Sequence, residues 1–233
     1  MGKTVSKAMA LAMVAGVIAT PAAIAEGEFS VNAALTSDYV WRGVSQTGED
    51  PAIQVGADYA NGMFYAGTWA SNVDFGAGSD ASIELDLYGG LAGELAPGVS
   101  WDVGYIYYLY PGTDGEDLDF GEVYAGLGYE ADTGFGLGAY VYYDPDNKNT
   151  YVEGTGSYAF TDAFSADASL GNYSFDFGGD YTAWSIGGTY SYEAFDFDLR
   201  YWDTDIEDQV GGSVPGTEER VVFTVGTSFT FGE

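Results

Sequence analysis

The chain contains no cysteine and no histidine. Without cysteine, an exported protein has no disulfide to hold it together, so packing or closure must do so. Without histidine, the usual Ser–His and Cys–His nucleophilic arrangements are excluded, as are imidazole metal sites. Basic residues are nearly missing as well. Three lysines and three arginines face 36 acids in 233 residues, a net charge of −30. That balance excludes nucleic-acid binding, which needs a basic footprint, and it favours cations or a surface holding divalent metal. Acidic chains are often disordered, but 17% aromatic residues argue against that here. Beyond residue 25 there is no apolar run of about 19 residues, so a helical inner-membrane protein is excluded. A transmembrane barrel is not, because its apolar signal is split into short alternating segments.

The first 25 residues, "MGKTVSKAMALAMVAGVIATPAAIA", place Lys3 and Lys7 before an apolar run from Ala8 to Ile18 and end on Ala23-Ile24-Ala25. This is the layout of a bacterial signal peptide cleaved after Ala25. An uncleaved anchor is the alternative, for which the run is short. Cleavage removes Lys3 and Lys7 and leaves four cations against 36 acids, a net −32.

From residue 26 to 233, apolar residues recur with period two, the signature of strands. Examples are Ile83–Leu85–Leu87, Val123–Ala125–Leu127–Tyr129 and Val221–Phe223–Val225. The pattern predicts twelve strands, at 28–44, 51–60, 63–73, 80–94, 99–110, 119–130, 135–144, 150–160, 163–172, 180–192, 195–204 and 218–231. Their connections alternate between short turns such as Asn61-Gly62 and longer stretches such as Asp205–Thr217. Short turns on one rim and long loops on the other characterise outer-membrane barrels. An even strand number places both termini on the short-turn rim. A soluble β-sandwich shares the alternation but turns its apolar face inward. Aromatics near strand ends, 35 glycines, many on the polar phase, and a close on Phe229 and Phe231 favour the membrane barrel. The expected fold is therefore all-β: an antiparallel up-and-down transmembrane β-barrel of about 12 strands.

The stretch "ALTSDYVWRGVSQTGEDPAIQVGADYANGMFYAGTWASNVDF" resembles the opening block of the TorF-type porins of proteobacteria. "ELDLYGGLAGEL", "VGYIYYLYPG", "DFGEVYAGLGY", "YVEGTGSY", "LRYWDTDI" and "ERVVFTVGTSF" follow in the family's order. The resemblance covers nearly all of the chain after residue 25 and implies an outer-membrane porin. The family tends to end on the aromatic itself, whereas Gly232 and Glu233 follow Phe231 here.

On this reading Trp41 faces lipid and Arg42 faces the lumen from the first strand. Arg42, Arg200 and Arg220 then form a basic wall on neighbouring strands near the outer mouth. Glu84, Asp86, Asp102, Glu122 and Glu153 form an acidic wall opposite, and the two create a transverse field. The plainer reading pairs each arginine with a lumen carboxylate, Asp38 with Arg42 and Asp198 with Arg200, to stiffen the wall. The acidic loops Asp114–Asp119, Asp144–Asn149 and Asp203–Asp208 lack the glycine and spacing of an EF-hand, so no metal site and no cofactor are expected.

The expected function is passive diffusion of small cationic or polar solutes through a narrow lumen, in the bacterial outer membrane, with lipid and lipopolysaccharide as partners. An oligomer is compatible with this. The alternative is a closed barrel presenting acidic loops to divalent cations, lipopolysaccharide or a partner. Enzyme chemistry is not expected, since carboxylate pairs such as Glu84 and Asp86 are ordinary lumen lining.

Overall fold

Twelve strands close on themselves in a computed structural model that describes residues 27–113, 118–207 and 214–231. The signal-peptide expectation for residues 1–25 lies outside the described residues. In chain order the barrel strands are β1 (Glu28–Thr36), β4 (Ala52–Asn61), β5 (Phe64–Asn72), β6 (Ile83–Ala96), β7 (Val99–Leu109) and β8 (Phe120–Glu130). They continue with β9 (Phe135–Tyr143), β10 (Thr150–Thr161), β11 (Phe164–Ser174), β12 (Tyr181–Tyr192), β13 (Phe195–Thr204) and β14 (Arg220–Phe231). Two further strands of two residues, β2 (Val40–Trp41) and β3 (Val44–Ser45), form a separate small hairpin.

Each barrel strand pairs antiparallel with its chain neighbours. β1 pairs both with β4 and with β14, which leaves no free edge. Phe29 faces Phe231 across the closing pair, so both ends of the barrel chain lie on the rim of short turns. Strand lengths of 9 to 14 residues match or exceed the roughly 9–11 that a tilted strand needs to cross a bilayer.

Burial runs opposite to that of a soluble protein. Ile53 and Leu170 are 64% and 60% exposed on the outside, while Ser185 and Glu122 are 1% and 0% exposed inside. Tyr59, Phe64, Tyr129, Phe135, Tyr158, Phe164 and Tyr192 stand exposed near the short-turn rim, as an aromatic girdle at a membrane interface does. The in-strand charges Asp58, Glu84, Asp86, Asp102, Glu122, Glu153, Asp167, Asp198 and Arg200 lie on the inner face, because lipid would leave each of them unsolvated.

One expectation is corrected. The first strand was predicted to run to residue 44, but it ends at Thr36. Ser37 still bonds β14 and residues 48–51 are exposed, while residues 38–47 leave the wall and turn into the lumen. The period-two pattern continued through Tyr39 and Trp41 because β2 also is a strand, but one inside the barrel. Trp41 consequently packs on Tyr108, Phe120 and Tyr173, with ring centroids at 5.9, 6.2 and 5.9 Å, rather than facing lipid.

Candidate functional site: a lumen crossed by an arginine hairpin

Arg42 and Gly43 are the two turn residues of the β2–β3 hairpin, with φ of 50° and 85°. A tight two-residue turn joining twisted strands requires left-handed backbone at both positions, and glycine supplies one of them without strain. Gly43 also fits where a side chain cannot: a Cβ there would stand 2.5 Å from Thr204 Cγ2 and 2.8 Å from Ala183 Cβ. The hairpin tip thus abuts β12 and β13. From there Arg42 reaches β8, nearly opposite in the barrel order. Its Nη1 and Nη2 donate to Glu122 Oε1 and Oε2 at 2.8 and 2.7 Å.

The guanidinium is enclosed by rings. Its Cζ lies 4.2 Å from the Trp41 centroid, 4.3 Å from Tyr151, 4.8 Å from Tyr173 and 5.0 Å from Tyr142. Arg42 is 7% exposed. Such burial opposes its charge, and Glu122 beside it more than reverses this, so the Arg42 pKa is raised. A fork-to-fork pair inside aromatic walls suits arginine rather than lysine.

The hairpin's base is fixed by Asp38. Its Oδ1 accepts from Ser45 Oγ and Thr47 Oγ1 at 2.7 and 2.8 Å, and its Oδ2 accepts from Arg220 Nη1 at 2.9 Å. Tyr39 and Tyr110 both donate to Glu84, at 2.7 and 2.8 Å. These hydrogen bonds and ring contacts make residues 38–47 a septum across the outer lumen.

Below the septum a different motif covers the wall. Asp58 on β4, Gly67 on β5 and Tyr88 on β6 lie in one register row. The Tyr88 ring lies over Gly67 and its hydroxyl donates to Asp58 Oδ1. Asp167 on β11, Gly187 on β12 and Arg200 on β13 repeat the row. Arg200 lies over Gly187 and donates to both Asp167 oxygens at 2.6 and 2.8 Å. A Cβ at Gly67 would stand 2.5 Å from Tyr88 Cε2, and one at Gly187 2.9 Å from Arg200 Cζ. Long side chains therefore lie flat along the wall instead of projecting inward. Tyr65 does the same over Gly90 and donates to Asp102 Oδ1 at 2.7 Å. This inner half is wetter: Ser157 is exposed, and Asp58 and Asp167 are half-buried.

The predicted site residues are thus dispersed. Arg200 and Arg220 occupy adjacent strands, but Arg42 stands on the hairpin and bonds directly to Glu122, so the single basic wall is corrected. Asp198 does pair with Arg200, at 3.2 Å, whereas Asp38 pairs with Arg220 and not with Arg42. Glu84, Asp86 and Asp102 sit on β6 and β7, Glu122 on β8 and Glu153 on β10, where it accepts from Tyr151. Asp86 Oδ1 and Asp102 Oδ2 are buried with no hydrogen-bond partner. The loop Asp144–Asn149 is a self-contained turn, with Asp144 Oδ1 accepting from the backbone of Asp146 and Asn147. Residues 114–117 and 208 of the other two acidic loops lie outside the described residues. Sequence reasoning missed Tyr39, Gly43, Gly67 and Gly187. Only Gly43 carried a local signal, an X-Gly pair between Val40-Trp41 and Val44.

A family model described as "Bacterial protein of unknown function (Gcw_chp)" matches residues 20–229. No curated protein matches the chain by sequence. Among solved structures, the KdgM porin superposes with a TM-score of 0.58 at 7% identity, over 88% of this chain and 99% of that one. The KdgM porin in complex with disordered oligogalacturonate gives 0.59, also at 7% identity and with the same coverage. The NanC porin gives 0.57 at 12% identity, over 86% of this chain and 98% of that one. At these identities the likeness is one of fold.

Proposed function

The chain belongs to the Gcw_chp family of bacterial proteins, and from that premise we propose that it is a narrow diffusion channel of the bacterial outer membrane. The observation that carries this is a closed barrel with an apolar belt outside and a polar, water-accessible inner lumen. Its quoted sequence blocks resemble those of the TorF-type porins, which supports this reading. The excess of acids favours small cations and neutral polar solutes at the mouth. Oligogalacturonate, named with the KdgM porin, is a polyanion and does not suit such a field. Residues 1–25 act as the export signal. The acidic outer loops meet lipopolysaccharide through divalent cations.

A second reading follows from the septum. Glu122 is wholly buried beneath Arg42, which favours a barrel closed at rest whose loops are its working surface. Single-channel recording of the refolded mature chain under a salt gradient decides between them. Discrete steps with a cation-selective reversal potential support the channel. Silence from a barrel whose gel mobility still shifts on heating supports the closed barrel.

A further inference from the structure

Above the septum lies a cavity of about 330 Å³, open toward the outer mouth. That size falls within the roughly 300–1,000 Å³ of small-molecule sites. The hairpin supplies its floor through Trp41, Val44 and Gln46, and the barrel wall adds Tyr173, Phe175 and Tyr181. These rings adjoin one another: Tyr173 and Phe175 centroids are 4.3 Å apart, and Phe175 stacks on Tyr181 at 6.1 Å. The polar side is made of carboxamides. Asn149 lines the cavity, is 9% exposed, and its Oδ1 has no hydrogen-bond partner. A buried acceptor without a donor is costly, and although this oxygen is closed to a water-sized probe, a turn of the amide would present it to a ligand hydroxyl and relieve that cost.

The lining charge is already spent. Asp144 accepts three hydrogen bonds from its own turn, the third from Asn147 Nδ2 at 2.7 Å. Arg42 is held by Glu122 while its guanidinium packs on Trp41 and Tyr173. A cationic ligand would compete with Arg42 for those two rings. An anionic ligand would meet Asp144 and the field of a chain of net −30. What remains is an uncharged molecule with an apolar face for the rings and hydroxyls for the amides.

We propose that this cavity is a recognition site for a neutral sugar of one or two rings. The sugar's C–H face stacks on the aromatic residues and its hydroxyls bond Asn149 and Gln46. This deepens the channel reading by naming a solute class at its entrance, but the site itself requires no conduction.

The test is calorimetric titration of the refolded mature protein with maltose, in a detergent that lacks a sugar headgroup. Saturable maltose binding is expected, weakened at least tenfold by Phe175→Ala and several-fold by Asn149→Ala, in variants whose barrels still show heat-shifted mobility. Tetramethylammonium and galacturonate are the charged comparison ligands, expected to give no saturable heat. Absence of maltose binding, binding unchanged in both variants, or preference for either charged ligand overturns the proposal. A conducting barrel that binds no maltose removes the site and keeps the channel. A silent barrel that binds maltose does the reverse.

Discussion

The outer and inner halves of one lumen solve the same problem in opposite ways. Both hold carboxylates that a membrane barrel must keep from lipid. The outer half dries them and bonds most of them, Glu122 to Arg42, Glu84 to two tyrosines and Asp38 to Arg220, while one oxygen of Asp86 stays unbonded. The inner half leaves Asp58 and Asp167 half-buried, though Asp102 and Asp198 are buried there, and lays the partner flat over a glycine, as Tyr88 lies over Gly67 to reach Asp58. The first arrangement closes space and the second preserves it. A buried ion pair is rigid because separating it strands a charge, whereas a half-hydrated carboxylate tolerates loss of its donor.

The sharpest way to break this contrast is Arg42→Ala. It leaves Glu122 without its cation, an uncompensated charge worth about 3–5 kcal/mol. Because the hairpin is not part of the wall, the cost is expected to unseat residues 38–47 rather than the barrel. Single-channel current should rise while heat-shifted mobility persists. Arg42→Lys keeps the charge but not the planar fork, and should restore closure only in part.

Next in size is a matched pair of hydroxyl deletions. Tyr39→Phe removes a donor from dry Glu84 and should cost about 1.5–3 kcal/mol in a denaturant titration, as bonds to charged groups do. Tyr88→Phe removes a donor from half-buried Asp58 and should cost less, since water replaces it. Equal losses would refute the division into dry and wet halves.

Gly67→Ala probes the tiling itself. The added methyl displaces the Tyr88 ring, an overpacking worth about 1–3 kcal/mol, and pushes it toward the lumen. Lower conductance in whatever open state Arg42→Ala provides is the expected readout, with the double variant as the measurement. The smallest effect belongs to Lys148→Ala. Its partner Asp176 is 3.7 Å away and both side chains are more than half exposed, so the loss should stay under about 1 kcal/mol and fade with salt.

The barrel was legible because its cause is local. Each lipid-facing residue must be apolar and each neighbour polar, so Ile83–Leu85–Leu87 declares its face without knowledge of any other strand. Turn lengths then set the strand count and the shared rim of the ends. Arg42 was legible as a residue directed into the lumen, but its support was misread. The alternation through Tyr39 and Trp41 is as regular in a hairpin inside the barrel as in a strand of its wall, and the Arg42-Gly43 turn is the one local mark that separates the two.

Composition and periodicity by themselves determined an acidic all-β chain, apolar on one face, with twelve strands and too few cations to neutralise its interior. Only the tertiary structure decided which acids Arg42 and Arg220 meet, and that Arg200 adds Asp167 to Asp198. Arg42 and Glu122 are eighty residues apart and join across the lumen. Asp58, Gly67 and Tyr88, like Asp167, Gly187 and Arg200, form a row only when three strands take one register. Alternation records which face a side chain takes, a property of one strand. Pairing records register and closure, which exist only between strands.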